Sequence, residues 1–380
     1  MKFFLIAGEP SGDLLGAALM AGLKELVPDT SFEGIGGPAM QAEGLQSLFP
    51  MEELSLMGIW EVLPKYFHLK RRIAQTAEAV ISAAPDALIT IDSPDFCLRV
   101  ARLVRASRPD LRTIHYVAPS VWAWRPGRAK KMAQVIDHVL AILPFEPPLM
   151  QAAGMSCDFV GHPIATAPTA SPEDAAAFRA THAIPADAPL ILCLPGSRRS
   201  EITRLADRFG KALALLQQDV PQMRVVLPTV PWLADDLRGM TADWPTPPLI
   251  IDGKDDKRAA FSAADLALAA SGTVSLELAA NRVPMVIGYD MAPLSRWIIG
   301  MMVKTDTVTL VNLVSETRAV PEFLGRDCQP EPLAKALKQV LDHPQAQLEA
   351  MDLTMQRLGK GGEAPGLRAA RSVLSAITAR

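Results

Sequence analysis

Cysteine and histidine are scarce in this sequence, and long apolar runs are missing. The chain has 380 residues but only four cysteines, which lie far apart and form no C-x-x-C pair. That spacing excludes a disulfide framework and predicts reduced thiols. The six histidines are equally scattered, so their spacing predicts no metal site. No uncharged apolar stretch reaches the ~18 residues that a membrane-spanning helix needs, which excludes a helical integral membrane protein.

An excess of charge of one sign is also missing. The 38 Lys and Arg residues are balanced by 41 Asp and Glu, and the net charge of −3 argues against a nucleic-acid partner. A composition of 49% apolar and 21% charged residues is typical of a folded soluble protein. The apolar run at residues 3–7 is short for a secretion signal and Glu9 follows it closely. We therefore expect a buried first strand and a cytoplasmic location.

Proline is the residue in excess, at 32 of 380 positions. That is about 8% of the chain, against an average of about 5%. The prolines form neither a repeat nor a tract, and the interiors of helices and strands reject them. We therefore expect them in turns and at the first positions of helices. Because several flank predicted strands, we also expect them to stiffen binding loops.

Short apolar runs alternate with helical stretches along the chain. Runs such as 88–91 and 190–194 are apolar throughout, as expected of parallel strands that helices cover on both faces. Repeated βα units predict two Rossmann-like, doubly wound α/β domains that face each other across a cleft. The predicted strands are Lys2–Ala7, Phe32–Gly36, Ala87–Ile91, Arg112–Val117, His138–Leu143, Leu190–Leu194, Met223–Leu227, Leu249–Ile251, Asp265–Ala269 and Met285–Ile287.

The boundary between the domains is expected in the Ala-, Pro- and Thr-rich stretch that precedes Leu190. We assign residues 1–170 to an N-terminal domain and residues 186–330 to a C-terminal domain. Residues 331–380 contain no predicted strand, so we expect a helical tail that packs on a domain or on a partner subunit.

Acidic residues follow the predicted strands of the first half. Glu9 comes after the first strand and before a proline, where a carboxylate has no evident structural role. Ser11 or Asp13 in the next turn can cap the helix. Asp92 is the first residue beyond a buried strand, a position that suits a general base acting on a substrate hydroxyl. Asp95 falls in the first turn of the next helix, where interaction with the helix dipole alone would account for it. We keep it as a further cleft candidate.

Two loops in the second half are typical of anion-binding sites. Arg198 lies between a strand and a helix, where backbone N–H groups and a guanidinium would bind phosphate. Ser271, Gly272 and Thr273 open another helix, and Glu277 lies one turn further on the same face. This pattern matches a nucleotide, with the diphosphate at the turn and the ribose hydroxyls on the carboxylate. Helix capping alone is the alternative for each loop.

Three segments are rich in aromatic residues. Residues 54–72 and 294–304 combine apolar and aromatic side chains with basic ends, which fits either core helices or docking on a membrane with Lys and Arg at anionic headgroups. Residues 115–125 fit either a packed core element or a loop that lines the cleft.

Seven motifs, in order along nearly the whole chain, resemble the lipid-A-disaccharide synthase family. They are Gly8–Asp13, Ile91–Phe96, Ile114–Trp124, Phe159–His162, Leu194–Arg198, Ala270–Glu277 and Val303–Asp306. The resemblance implies a GT-B-type glycosyltransferase of Gram-negative bacteria. Such an enzyme joins UDP-2,3-diacylglucosamine to 2,3-diacylglucosamine 1-phosphate (lipid X) at the cytoplasmic face of the inner membrane. The products are the β-1,6 lipid A disaccharide 1-phosphate and UDP.

The resemblance assigns the acceptor side to the N-terminal domain. Asp92 would be the base for the acceptor 6-hydroxyl, in agreement with its place at a strand end, and Glu9 and Ser11 would lie in the cleft. Cys97 departs from the family, which usually has Asn at this position, so we assign it no role.

The donor side, by the same resemblance, belongs to the C-terminal domain. Arg198 would lie near the diphosphate, Ser271–Thr273 and Glu277 around the nucleotide, and Asn312 near the donor. Val311 departs from the family's usual proline, so the resemblance assigns no conformation to the backbone before Asn312.

The family implies neither a cofactor nor a metal. Its members can exchange C-terminal segments, which permits a homodimer through residues 331–380. Two other functions fit the same patterns. One is a UDP-sugar 2-epimerase of the same fold, which needs no acceptor and no lipid-binding surface. The other is a non-enzymatic, membrane-peripheral nucleotide-binding protein.

Overall fold

The computed structural model describes residues 1–54, 59–123, 125, 127–245, 247–291 and 305–378, with only the backbone described at 59–66. The chain divides into two compact units, one formed by Met1–Thr166 with Gly361–Arg380 and the other by Ala167–Lys360. Each unit contains a parallel sheet with alternating helices. The prediction of two Rossmann-like, doubly wound α/β domains is confirmed.

The first unit is built on a seven-stranded sheet. Its strands are β1 Lys2–Ala7, β2 Ser31–Ile35, β3 Gln46–Ser47, β4 Ala87–Ile91, β5 Arg112–Tyr116, β6 His138–Ala141 and β7 Ser156–Phe159. They are parallel and run in the order β3-β2-β1-β4-β5-β6-β7. Its helices are α1 Pro10–Leu26, α2 Pro38–Ala42, α3 Ile59–Ala83, α4 Pro94–Ser107, α5 Gly127–Met132, α6 Pro147–Gln151 and, from the end of the chain, α15 Pro365–Thr378.

The second unit is built on a six-stranded sheet. Its strands are β8 Leu190–Leu194, β9 Arg224–Pro228, β10 Leu249–Ile251, β11 Leu266–Ala269, β12 Met285–Tyr289 and β13 Glu322–Leu324. They are parallel and run in the order β10-β9-β8-β11-β12-β13. Its helices are α7 Pro172–Thr181, α8 Arg199–Asp219, α9 Ala234–Thr241, α10 Lys254–Ala263, α11 Val274–Ala280, α12 Leu310–Ser315, α13 Pro330–Asp342 and α14 Gln345–Arg357.

The central strands are apolar because helices cover both faces of each sheet. All five residues of β4, with the sequence ALITI, are buried, and so are all five of β8, with the sequence LILCL. Neither strand shows the alternation of polar and apolar residues that a half-exposed strand would need. Burial on both faces therefore explains why these strands could be predicted from their continuous apolar sequences.

Proline begins many of the helices. Pro10, Pro38, Pro94, Pro147 and Pro365 are the first residues of α1, α2, α4, α6 and α15, and α7 and α13 begin in the same way. Proline suits this position because its φ is already helical and the N–H that it lacks would have no partner inside the helix. The predicted use of proline at helix starts is confirmed, whereas the stiffening of binding loops stays a prediction.

Three strands were absent from the sequence-based prediction. They are β3, β7 and β13, and each forms an edge of its sheet. An edge strand pairs on one side only and is often short, so it needs few apolar residues. The sequence SCDF of β7, with one fully buried residue, has no recognisable strand pattern.

Residues 331–380, expected to form one tail, are divided between the units. In the second unit α13 packs on α8 and α14 packs on α12, whereas α15 packs on α1 in the first unit. Small residues allow the α1–α15 approach, since a Cβ added to Gly366 would lie 2.5 Å from the carbonyl oxygen of Ala18. Residues 171–185, expected between the domains, contain α7, which packs on α10 in the second unit.

All four cysteines are free and buried, which confirms that they form no disulfide. Burial raises the pKa of each thiol above its usual value. No helix in the described part of the chain is long and apolar enough to cross a membrane.

Candidate functional site

Each sheet has a point at which the strand order reverses. In the first unit this point lies between β1 and β4, and in the second between β8 and β11. Loops that leave the carboxyl ends of such neighbouring strands diverge to opposite faces of the sheet and leave a crevice between them. The predicted site residues of both units lie in these loops, apart from Asn312 and the first-turn positions 11, 95 and 277.

The second unit contains a cavity of about 340 Å³ at this crevice. Its lining includes Arg198, Ser271, Gly272, Thr273 and Glu277, which are five of the six residues predicted to bind the donor. Further lining residues come from the β9 loop and from α10; among them are Thr229, Val230, Lys257 and Phe261. The sequence pattern did not point to these four residues.

The loop after β8 forms one wall of the cavity. Gly196 has φ +115°, and a Cβ there would lie 2.5 Å from the Glu201 carboxylate, so this turn requires glycine. Glu201 accepts hydrogen bonds from the Ser197 amide at 3.3 Å and from Arg198 Nη1 at 3.2 Å. The Arg198 side chain is nevertheless mostly exposed. Its guanidinium can therefore reach a bound anion while Glu201 holds the turn.

The loop after β11 forms the facing wall. Gly272 has φ +133°, and its carbonyl accepts a hydrogen bond of 2.9 Å from the Ser275 hydroxyl. Glu277, in the first turn of α11, pairs with Lys257 of α10, with Nζ 2.6 Å from Oε2. Both side chains are roughly half-exposed toward the cavity. Two ion pairs, Arg198–Glu201 and Lys257–Glu277, thus lie in the lining of one crevice.

Asn312 lies elsewhere in the second unit and is not part of the cavity lining. It is buried in α12, where its Nδ2 donates to the Val320 carbonyl at 2.9 Å and its Oδ1 accepts from the Val320 amide at 3.0 Å. These bonds give Asn312 a structural role in holding the chain after α12. Its contact with the donor stays a prediction.

Asp92 lies directly beyond β4, at the carboxyl edge of the first sheet. Its backbone is left-handed, with φ +51°, and its amide donates to the Tyr116 carbonyl at 3.0 Å. No group in the described part of the chain hydrogen-bonds to the carboxylate. A half-buried carboxylate with no internal partner has its lone pairs available for a substrate hydroxyl.

Backbone strain surrounds Asp92. Ser93 has φ +43° and Val117, at the end of the neighbouring β5, has φ +79°. Left-handed backbone is disfavoured for side chains other than glycine, most of all for β-branched valine, and it concentrates at functional sites. The Ser93 side chain lies against Gly8, where a Cβ would be 2.5 Å from Ser93 Oγ. The loops after β1 and β4 are therefore in direct contact.

The remaining acceptor-side candidates lie at helix starts. Glu9 is the extended residue before α1 and is partly buried, whereas Ser11 in the first turn is exposed. Asp95 is exposed in the first turn of α4. No side chain caps α1 at this end, so the alternative in which Ser11 or Asp13 caps this helix is wrong.

Asp13 has a structural role across two helices. Its buried carboxylate accepts hydrogen bonds from the Gly37 and Met40 amides on Oδ1, at 2.8 and 3.0 Å, and from the Ala39 amide on Oδ2, at 2.9 Å. Those amides belong to the start of α2, so Asp13 caps a neighbouring helix and not its own.

The chain is similar to known proteins over nearly its whole length. The family described as lipid-A-disaccharide synthetase matches residues 3–374. The chain is 61% identical to the lipid-A-disaccharide synthase of Ruegeria pomeroyi, over 99% of this chain and 96% of that protein. It is 48% identical to the synthase of Rhodospirillum centenum, over 100% and 96% of the two chains.

The chain belongs to the lipid-A-disaccharide synthase family. It is therefore a glycosyltransferase, with a role in lipid A disaccharide synthesis.

Solved structures of low sequence identity resemble this chain in fold only. UDP-GlcNAc 2-epimerase of Neisseria meningitidis superimposes with a TM-score of 0.64 at 11% identity, covering 99% of both chains. MurG of Acinetobacter baumannii superimposes with a TM-score of 0.58 at 16% identity, covering 100% of this chain and 99% of that one.

One of the two positions expected to differ from the family, Cys97, lies near Asp92. Cys97 is fully buried in α4, and burial, followed by the nearby charge of Asp92, raises the pKa of its thiol. A buried, protonated thiol packs as a small apolar group. Cys97 therefore needs no catalytic role to account for its place.

Part of the aromatic segment 115–125 lies in the hydrophobic core of the first unit. His115 and Tyr116 are buried in β5, and His115 Nδ1 lies 2.7 Å from the Thr90 hydroxyl. Burial lowers the pKa of His115 to about 4, so the ring is neutral at pH 7. Trp122 packs edge to face on Phe145, with ring centroids 5.4 Å apart. Trp124 lies outside the described residues.

The predicted membrane segments are described only in part. Residues 294–304 and residues 55–58, together with the side chains of 59–66, lie outside the described residues. Among the described side chains of segment 54–72, Arg72 binds Glu53 through Nε and Nη2 at 2.8 and 2.7 Å. The Arg72 hydrogen bond comes first among the causes that lower the pKa of Glu53 to about 2. Arg72 is thus held within the fold, whereas Lys70 and Arg71 are exposed.

Proposed function

We propose that the protein is an inverting glycosyltransferase that joins UDP-2,3-diacylglucosamine to 2,3-diacylglucosamine 1-phosphate. The products are the β-1,6-linked disaccharide 1-phosphate and UDP. Family membership across residues 3–374 supports the reaction. The observation that carries the proposal is the crevice of the second unit, where five residues with a nucleotide-binding pattern line one cavity.

The donor UDP-sugar is assigned to that cavity. The positive end of the α8 dipole and the exposed Arg198 guanidinium would offset the charge of the diphosphate. The turn formed by Ser271–Thr273 would lie against the diphosphate. Glu277 would accept hydrogen bonds from the ribose hydroxyls. No metal takes part in this assignment, because the cationic groups belong to the protein itself.

The acceptor is assigned to the first unit. The Asp92 carboxylate removes the proton of the acceptor 6-hydroxyl as that oxygen attacks the anomeric carbon of the donor. The new C–O bond forms on the face of the anomeric carbon opposite to UDP. The bond between the anomeric carbon and the β-phosphate oxygen breaks, and UDP leaves with the bonding electrons. One displacement inverts the α-linked donor to a β-linked product, and the proton on Asp92 then passes to water.

Binding at the cytoplasmic face of the inner membrane is part of the proposal, because both substrates carry acyl chains. In segment 54–72, the Phe67 side chain is 82% exposed. It lies one turn before the exposed cationic residues Lys70 and Arg71 in α3. An exposed aromatic side chain next to basic residues is typical of interfacial docking.

A homodimer through the C-terminal segment is proposed on the family resemblance, and sedimentation of the full chain would test it.

The deciding experiment is incubation of the protein with both acylated sugars, followed by mass analysis for disaccharide and UDP. We expect both products in equal amounts, with UDP affinity lowered in Arg198→Ala. UDP binding without any disaccharide would favour the peripheral nucleotide-binding alternative and contradict the proposal.

The epimerase alternative rests on the fold alone, through neighbours of low sequence identity. It predicts that a UDP-sugar alone is inverted at C2 and that liposomes are not bound. Incubation of the protein with the UDP-sugar in deuterated water, followed by NMR at C2, separates the two functions.

A further inference from the structure

We propose that Lys257 is a positioning residue for the donor: it holds one oxygen of Glu277 so that the other can accept a ribose hydroxyl. This inference rests on the proposed function, because it requires that a nucleotide occupies the cavity of the second unit. Lys257 comes from α10, outside both loops that the nucleotide pattern defined.

The ion pair is the first observation. Lys257 Nζ lies 2.6 Å from Glu277 Oε2, and both residues line the cavity. The contact uses one carboxylate oxygen, and no other group in the described part of the chain hydrogen-bonds to this carboxylate. Oε1 is therefore available to a ligand hydroxyl while Oε2 is held.

The ammonium is itself fixed from its own helix. Lys257 Nζ lies 5.2 Å from the centroid of the Phe261 ring, one turn along α10. A cation at this distance from an aromatic face is attracted to it. The lysine is thus held between an aromatic ring on α10 and a carboxylate on α11, which restricts the positions that its long side chain can adopt.

The two helices are also tied together below the ion pair. The Ser262 hydroxyl donates to Asn281 Oδ1 at 2.8 Å, and Asn281 Nδ2 donates to the Glu277 carbonyl at 2.9 Å. These neutral hydrogen bonds hold α10 against α11 without Lys257. Removal of the ammonium should therefore free the Glu277 side chain while leaving the helix packing in place.

Nucleotide analogues distinguish a positioning role from a general one. UDP and 2′,3′-dideoxy-UDP share the base and the diphosphate and differ only in the ribose hydroxyls. We expect Lys257→Met to weaken UDP binding about 5- to 20-fold, since a charged hydrogen-bonding arrangement is lost at a half-exposed site. Binding of the dideoxy analogue should change less than twofold. In turnover, KM for the donor should rise with little change in kcat, as expected when binding is lost uniformly.

Two further variants complete the experiment, which uses calorimetry on the full chain. Lys257→Arg, which keeps the cation, should recover most of the UDP affinity. Lys254→Met removes an exposed lysine at the start of the same helix, outside the cavity lining, and should leave both affinities unchanged.

An equal loss of affinity for both nucleotides in Lys257→Met would overturn the inference, because the lysine would then act on the diphosphate or on the fold. No loss for either would overturn it as well. If wild type itself fails to bind UDP, it is the proposed donor site that fails. Wild type that binds UDP and forms disaccharide, with an unchanged Lys257→Met, rejects the positioning role alone.

Discussion

The two units place their candidate residues at the same point of the same topology, but they shape the loops differently. In the second unit the left-handed backbone falls on Gly196 and Gly272, which adopt it without steric cost. In the first unit it falls on Asp92, Ser93 and Val117, where a side chain makes it unfavourable. One crevice is thus shaped by backbone without steric strain, whereas the other carries strain at Asp92 and its neighbours.

The acidic residues differ in the same way. In the second unit Glu201 and Glu277 each pair with a cation of the cavity lining. In the first unit the Asp92 carboxylate has no cation partner among the described residues, and Asp13 is satisfied by backbone amides. Paired acids suit a site that binds, and an unpaired acid suits one that accepts a proton.

The largest expected effect belongs to Asp92. Asparagine adopts the left-handed backbone at least as readily as aspartate, so Asp92→Asn removes the base and keeps the turn. We expect turnover to fall by about 10²–10⁴-fold, with UDP affinity unchanged. The measurement is initial disaccharide formation at saturating substrates, with UDP binding measured by calorimetry.

Asp110→Ala is the matched control for this variant, because Asp110 is exposed before β5, at the opposite edge of the first sheet. Its turnover should equal that of wild type. If Asp92→Asn kept near-normal turnover, the contrast between a catalytic first unit and a binding second unit would be lost.

Asp13 should give the largest effect on stability. Asp13→Ala leaves three amides at the start of α2 without their acceptor, two of them buried, which should lower the free energy of unfolding by about 2–4 kcal/mol. Urea unfolding followed by circular dichroism measures the change. Glu25→Ala, exposed near the end of α1, should stay within about 0.5 kcal/mol of wild type. Equal effects in the two variants would contradict the capping role.

Glu146 should make the stability depend on pH. Burial raises its pKa in the folded protein to about 7, above the value in the unfolded chain. Between pH 4.5 and 7 the folded state therefore binds more protons, so the contribution of Glu146 to stability falls as the pH rises. Glu146→Gln should gain about 1–3 kcal/mol relative to wild type between pH 5 and pH 8. Urea unfolding at both pH values tests this, and a constant difference would reject it.

The glycines of the second unit should lower stability by different amounts, and Gly272→Ala should give the smallest effect of all. Gly196→Ala introduces both left-handed strain and a contact with Glu201, whereas Gly272→Ala introduces strain in open space. We expect losses of about 1–3 kcal/mol and about 1 kcal/mol in the free energy of unfolding, with weaker UDP binding in both. Thermal unfolding and calorimetry provide the two readings. An effect of Gly272→Ala equal to or larger than that of Gly196→Ala would show that the Glu201 contact is unimportant.

Local patterns made much of this molecule predictable. The loops after β8 and β11 follow apolar strands and precede helices, so Arg198 and Ser271–Thr273 could be placed at one edge from the parallel topology alone. Lys257 could not, because a lysine near a helix start is common and its approach to Glu277 depends on how α10 packs. Asn312 was assigned by resemblance alone, and its hydrogen bonds to Val320 depend on the return of the chain after α12.

The sequence by itself indicated the fold class, because apolar runs that alternate with helical stretches are typical of parallel strands covered by helices on both faces. It also determined the edge at which acids and anion loops would meet, since parallel strands end on the same side of a sheet. Tertiary structure alone decided the contacts between residues far apart in the sequence. Lys257 pairs with Glu277, Asp13 caps α2, Arg72 binds Glu53, and α15 packs on the first unit. These contacts join residues distant in sequence, and no local pattern encodes them because packing fixes their distances only once the chain has folded.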